Sequence, residues 1–306
     1  MNIYNLQSLT SHFRSRFKYI INRLIQSKKY LLTKEAIAFL QDEAKQSVMT
    51  GQERRDTLKY LKKNLVEVFN APFVLKYKYR KIKVMLDSKN GMHYVITEEG
   101  RRLYAPRGMK EKNVRMMYNF LCMEQDEQSP HNYCFSDIRI NSDTELADIG
   151  AGDGNFTLKH ITKIRKAYLF ECEPNWIEAL EATFAPWKEK VVIVNKRVSN
   201  KNDNDCVTLD TFFEQPEKPT LLKIDVEGAE CQVLESASKL LESGSVGDLL
   251  VCAYHRENDD KILSELLLEK GYRVTVSPGI LFFSQDSSFS VNARFDFRKG
   301  VLHAAK

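Results

Sequence analysis

"LADIGAGDGNFTLKH", residues 146–160, decides how the chain is read. A short apolar run ends at Ile149, glycines follow at 150, 152 and 154, and a helix-like run begins at Asn155. Glycine lets a backbone turn tightly after a strand and lets a ligand come close to the main chain. Outward from this unit the alternation continues. Strand-like "AYLFE", "VVIVN", "TLLKIDV", "DLLVCAY", "YRVTV" and "ILFFS" alternate with helix-like "NWIEALEATFAPW", "AECQVLESASKLLES" and "DDKILSELLLEKG". Strands that are apolar throughout and separated by helices predict an α/β fold, a Rossmann-like parallel sheet covered by helices on both faces. Such sheets bind ligands outside the carboxyl ends of their strands.

Upstream the pattern differs. Apolar residues at Ile3, Leu6, Leu9, Phe13, Phe17, Ile20, Ile21 and Leu24 predict an amphipathic helix over 3–25. Thr33 reads as the N-cap of a second helix, and "RRDTLKYLKKNLVEVF" as a third. Asn90-Gly91 between two β-rich stretches predicts a hairpin. The expected organisation is a basic helical region (1–80), a small β/α connecting segment (81–140) and the α/β domain (141–306). Residues 1–80 carry 16 Lys/Arg against 6 Asp/Glu, and the remainder 30 against 35, within a net charge of +5. The basic N-terminal helices suit an acidic partner or membrane surface, or simply a solvated face. The basic residues of "ITKIRKAY" and "VNKRVSNKN" do not make a nucleic-acid surface. The N-terminus lacks a signal-peptide h-region, and no run approaches the roughly 20 apolar residues of a membrane span. Six scattered cysteines without a CxxC pair read as reduced, mostly buried thiols in a cytoplasmic protein, with no zinc site.

The loop also carries a ligand prediction. Glu171 lies 21 positions after Gly150, at the end of the next strand, where an acid can accept both ribose hydroxyls of an adenosine ligand. Glu173 is a second candidate. Dinucleotide enzymes use GxGxxG, whereas this loop is GxGxG with Asn155 at the position of the third glycine. Asp153 inside the loop would repel a pyrophosphate but suits a ligand bearing a sulfonium and an ammonium. S-adenosylmethionine is therefore favoured over NAD. The candidate cofactor residues are Asp148, Gly150, Gly152, Asp153, Gly154, Asn155, Glu171, Glu173 and Asp225. Trp176 either covers the adenine or packs its helix.

"TLLKIDVEGAE", residues 220–230, places charge in a buried strand. Alternation puts Lys223 and Asp225 on one face and Leu222, Ile224 and Val226 on the other. Charges there are costly unless paired or functional. Asp225 ends the strand, where the ligand crevice lies. Glu227 and Glu230 sit in the first turn of the next helix, where the dipole favours carboxylates; for Glu230 that account suffices. His255 ends the neighbouring strand and faces the same crevice. Asp225, Glu227 and His255 are the candidate catalytic residues, with Asp225 or His255 as the base for a hydroxyl. The same three could hold a divalent ion, which is the less favoured reading. "EQDEQSPHNY" (124–133) is either an ordinary loop or a cover for the site through Gln125, Ser129, His131 and Tyr133.

"DIGAGDGNF", "FECEP" and "LKIDVEGAE" followed by "YHRE" resemble the FkbM-type S-adenosylmethionine-dependent methyltransferases over about residues 143–285. The resemblance implies a class I methyltransferase sheet of order 3-2-1-4-5-7-6 and transfer to a hydroxyl oxygen, often of a sugar or polyketide-like metabolite. It implies that Gly150, Gly152 and Glu171 carry the donor, and that Asp225, Glu227 and His255 lie near the acceptor. Rival readings are a non-catalytic S-adenosylmethionine-binding or docking protein and an NAD-dependent oxidoreductase.

Overall fold

The computed structural model describes residues 27–42, 48–214, 218–284 and 295–306. The helix expected over 3–25 lies outside them. The chain divides into two compact units. The larger comprises Phe73–Gly279 with Arg298–Lys306, and the smaller the residues up to Pro72 with Ile280–Phe297.

The larger unit is built on seven strands, numbered in chain order: β1 Glu145–Ile149, β2 Lys166–Phe170, β3 Val191–Val194, β4 Leu221–Ile224, β5 Asp248–Cys252, β6 Arg273–Val276 and β7 Val301–Ala305. Their order in the sheet is β6-β7-β5-β4-β1-β2-β3. Six strands run in one direction, and β7 inserts antiparallel between β5 and β6. This is the 3-2-1-4-5-7-6 order of a class I methyltransferase, as the resemblance implies. The chain reverses its direction of travel across the sheet between β1 and β4, which sets a ligand crevice at their carboxyl ends.

Alternation along the strands divides the core into two layers. Ala147, Ile149, Leu222, Ile224, Leu249 and Val251 meet Val233, Leu234, Leu263 and Leu267 on one face. Leu146, Ala167, Leu169, Leu221 and Leu250 meet Val114, Leu158, Leu180 and Phe184 on the other. The helices concerned are α1 Glu111–Glu124, α2 Asn155–His160, α3 Pro174–Phe184, α4 Glu230–Ser236 and α5 Asp259–Glu269. The hairpin strands His93–Ile96 and Arg102–Tyr104 contribute Val95 and Leu103 to the second layer, so most of the 81–140 segment is part of this unit and not a separate connector.

Several expectations are corrected. "ILFFS" is a strand, Leu281–Ser284, but it pairs with Phe295–Arg298 outside the main sheet. The seventh strand is "VLHAA" instead. Thr33 is not an N-cap: residues 27–41 are helical, and its hydroxyl donates to Lys29 O (2.6 Å) while accepting from Val66 N (2.9 Å). The next helix is Gly51–Leu61, capped by Thr50 and Glu53, and it does not reach Phe69. Asn64 Nδ2 donates to Tyr60 O at its end, and Val66 N has its partner elsewhere. The Asn90-Gly91 hairpin exists between Met85–Leu86 and His93–Ile96, joined by a six-residue loop instead of a two-residue turn. The cysteines are free, but only Cys206 and Cys252 are buried. Among the described residues no helix is long and apolar enough to cross a membrane.

Candidate active site

The crevice at the carboxyl ends of β1 and β4 is a cavity of about 630 Å³, the size range of small-ligand sites. The three loop glycines have positive φ for different reasons. A Cβ on Gly150 would lie 1.8 Å from Asp225 O, so this glycine lets β1 and β4 end side by side. A Cβ on Gly154 would meet Leu180 and Phe184 at 2.8 Å, so this one serves helix packing. At Gly152 nothing lies within 4 Å; its backbone borders open cavity.

Glu171 is buried and holds the loop. Its Oε2 accepts from Gly152 N at 2.8 Å, and its Oε1 from Cys172 N and Glu173 N at 2.7 and 2.8 Å. Glu173 lies at the N-cap of α3 and lines the cavity with Trp176, which also packs toward Met92 and Tyr104. Asp153 lines the cavity and accepts from Asn155 N at 2.8 Å; desolvation pushes its carboxyl up to about 6. Asp148 is corrected. It does not line the cavity but lies beneath the loop, with Lys223 Nζ at 3.0 Å and the Thr157 hydroxyl donating at 2.7 Å. Lys223 also donates to Gly150 O at 2.8 Å, so a buried ion pair underpins the glycine turn.

Asp225 faces the cavity amid donors. Tyr133 Oη donates to Oδ2 at 2.9 Å, and Oδ1 has Tyr254 Oη at 3.5 Å and His255 Nε2 at 3.4 Å. Desolvation opposes its charge, but Lys223, His131, His255 and the Tyr133 hydrogen bond outweigh that and hold it below the usual carboxylate range. His255 lies behind Asp225 and does not line the cavity. Its Nδ1 is 2.7 Å from Glu230 Oε1, and its buried Nε2 has no hydrogen-bond partner among the described residues. Burial alone would lower its pKa, but Glu230, Asp225 and Glu227 raise it. Glu227 is exposed at the rim, with Oε2 3.6 Å from that Nε2. Asp225 is thus the group with access to an acceptor, and His255 is not a direct base.

The 124–133 segment is not an ordinary loop. Ser129, His131, Asn132 and Tyr133 are buried. Ser277 Oγ donates to Pro130 O (2.5 Å), and Asn132 Nδ2 to Asp126 O (2.7 Å). His131 Nε2 lies 2.8 Å from Tyr254 Oη, and burial lowers its pKa to about 4. Tyr254, Glu124 and the role of Glu230 were missed in the sequence. Glu124 ends α1 and lines the cavity; desolvation, then Asp225 and Asp153, push its carboxyl well above the usual range.

Two groups, Asp225–Glu230–His255 and His131–Asp225–Cys252, offer ligand atoms within 4.8 Å of one another. Neither fits a metal well. Glu230 Oε1 already accepts from His255, Val226 N and Gly228 N. The Cys252 thiol, chiefly through desolvation, is held far from the thiolate a metal needs.

Residues 189–274 match the family model described as the methyltransferase FkbM domain. The FkbM resemblance holds. The match covers β3 to the start of β6, including Asp225, Glu230 and His255, and leaves out the glycine loop. No curated protein matches the chain. Among solved structures, the FkbM methyltransferase of Methylobacillus flagellatus is similar at 16% identity and TM-score 0.46, over 64% of this chain and 55% of that one. The precorrin-6y C5,15-methyltransferase of Geobacter metallireducens is similar at 14% identity and TM-score 0.39, over 56% and 85%. The Streptococcus pneumoniae protein described as a putative tRNA (m1A22) methyltransferase, in complex with S-adenosyl-L-methionine, is similar at 16% identity and TM-score 0.36, over 55% of this chain and 69% of that one.

Proposed function

We propose that the protein is an S-adenosylmethionine-dependent methyltransferase acting on a hydroxyl oxygen of a small molecule such as a sugar. The observation that carries this reading is one cavity bordered both by the open Gly152 backbone with its Glu171 anchor and by the ionised Asp225. Beyond its three backbone bonds Glu171 keeps one acceptor site, on Oε2, for a ribose hydroxyl. Asp153 gives the cavity wall at the glycine loop the acidic character that a cationic donor favours. The loop is GxGxG, with Asn155 where the dinucleotide motif has its third glycine, which counts against NAD.

When bound, S-adenosylmethionine would supply a methyl carbon made electrophilic by its sulfonium. The chain's task is then to place a hydroxyl in line with that carbon, and positioning can supply up to about 7–11 kcal/mol. Asp225 accepts the hydroxyl's hydrogen bond and takes its proton as the C–O bond forms and the S–C bond breaks. Tyr133 and Tyr254 fix the carboxylate, and Glu124, Gln125, His131 and Tyr133 of the 124–133 segment line the cavity beside it.

Calorimetric titration with S-adenosylmethionine and NAD tests the reading. Binding of the former alone, weakened about tenfold or more (about 1.4 kcal/mol) by Glu171→Ala, is expected. Asp225→Asn should keep donor affinity and lower kcat by about 10²–10⁴ on a hydroxylated acceptor. Preference for NAD sinks the cofactor assignment. Donor binding without turnover on a panel of hydroxylated acceptors favours a binding protein instead.

A further inference from the structure

We propose that Glu230 is a positioning residue of this site: it holds the His255 ring toward Asp225 and holds the loop on which Asp225 stands. The inference rests on the methyl-transfer reading. As a first-turn helix carboxylate, Glu230 has a sufficient reason to exist at the surface. It is instead 2% exposed, where an ionised carboxylate is costly unless fully compensated. Its Oε1 meets His255 Nδ1 at 2.7 Å, Val226 N at 3.2 Å and Gly228 N at 3.3 Å.

The two amide bonds cross a strained turn. Glu227 has φ 54° and Gly228 has φ 95°. A non-glycine residue in the left-handed region costs of order 1 kcal/mol or more and persists where its surroundings over-determine it. Glu230 supplies that constraint and thereby sets the direction in which Asp225 and Glu227 leave the strand. The third bond sets the imidazole. With Nδ1 tied to Glu230, Nε2 can face only the pair Asp225 Oδ1 (3.4 Å) and Glu227 Oε2 (3.6 Å). The backbone is clamped as well, since Arg298 donates to Tyr254 O and His255 O at 2.6 and 2.8 Å. One buried carboxylate therefore registers both arms of the site.

Charge follows geometry. His255 is faced by Asp225 and Glu227 from the β4 loop, Glu230 from α4, Asp259 from α5 and His131 from the 124–133 segment, with Arg256 beside it in the chain. The acidic neighbours raise its pKa, and the resulting cation helps keep Asp225 ionised. Removing the Glu230 charge lowers the His255 pKa.

The test uses the full chain with Glu230→Gln, which keeps an acceptor oxygen and removes the charge, and Glu230→Asp, which keeps the charge on a shorter arm. The first readout is the titration of the His255 imidazole by NMR among the chain's six histidines. It needs neither donor nor acceptor, so it is independent of whether methyl transfer is the reaction. A lower His255 midpoint in Glu230→Gln, and less of a shift in Glu230→Asp, is expected. The second readout is kinetic: kcat lower by about tenfold or more with donor Kd unchanged. An unchanged His255 midpoint in a folded Glu230→Gln chain overturns the proposal, as does an unchanged kcat. Should Glu230→Gln not fold, Glu230→Asp carries the test alone: a His255 midpoint and a kcat both equal to those of the unaltered chain refute the arrangement.

Discussion

Lys223→Met tests the buried ion pair beneath the glycine turn. The Lys223 side chain is 6% exposed and that of Asp148 is 1% exposed. The ammonium reaches both the Asp148 carboxylate (3.0 Å) and the Gly150 carbonyl (2.8 Å). Methionine fills similar volume, so packing is nearly conserved. What disappears is the cation, leaving the buried Asp148 carboxyl with the Thr157 hydroxyl as its side-chain partner among the described residues. Removing one partner of a buried pair costs about 3–5 kcal/mol. In a domain of about 150–250 residues, each kcal/mol moves Tm by about 2–4 °C, so a fall of about 6–20 °C is expected. Scanning calorimetry and urea midpoints measure it. The double variant Lys223→Met/Asp148→Asn removes the stranded charge and keeps a partner for Thr157. It should recover at least half of the loss, a coupling of about 1.5 kcal/mol or more. A single-variant cost below about 1 kcal/mol, or strict additivity in the double variant, would show that the pair does not underpin the turn.

Two further outcomes follow from the loop and the buried histidine. Gly150→Ala puts a methyl 1.8 Å from Asp225 O and should cost on the order of 4 kcal/mol or more, whereas Gly152→Ala meets nothing within 4 Å and should cost about 1–2 kcal/mol for its positive φ. Gly152→Ala should nonetheless weaken donor binding; equal stability of the two variants in urea contradicts the assignment. His131 has its pKa lowered by burial to about 4. The unfolded chain takes that proton near pH 6.5 and the folded chain resists it, so stability is intact above about 6.5 and falls as pH drops toward 4, by on the order of 3 kcal/mol. His131→Gln should flatten this acid slope in urea midpoints at pH 7 and 4.5, and an unaltered slope refutes it.

The strand-and-glycine unit was legible because its signals are local. Leu222 and Ile224 do alternate with Lys223 and Asp225, and Gly152 does face open space beside Glu171. The seventh strand was not legible. Val301–Ala305 is chosen over "ILFFS" by pairing with β5 and β6, and nothing within either segment reports that. His303 inside it argues against a buried strand until Asp248, at 2.7 Å, is seen beside it. Glu230 was passed over because the helix dipole explains a first-turn carboxylate equally well, and its burial is a tertiary fact. Tyr254 read as the end of an apolar run; its hydroxyl becomes meaningful only when His131 arrives from a distant segment.

The charges of 223–230 are tolerated because each is compensated in a different direction. Lys223 points beneath the loop to Asp148, Asp225 into the cavity, Glu227 to the rim and Glu230 back to His255. A regular strand could separate only two of these directions, since successive side chains have only two faces. The left-handed pair Glu227 and Gly228 ends that alternation and sends the acids apart. The strain at Glu227 serves that separation, and Glu227→Gly should relieve it. That variant should be at least as stable as the parent, despite the extra chain entropy of glycine, because a left-handed residue is where that substitution costs least. Lower stability in urea would mean that the Glu227 carboxylate, and not its backbone, is what the turn depends on.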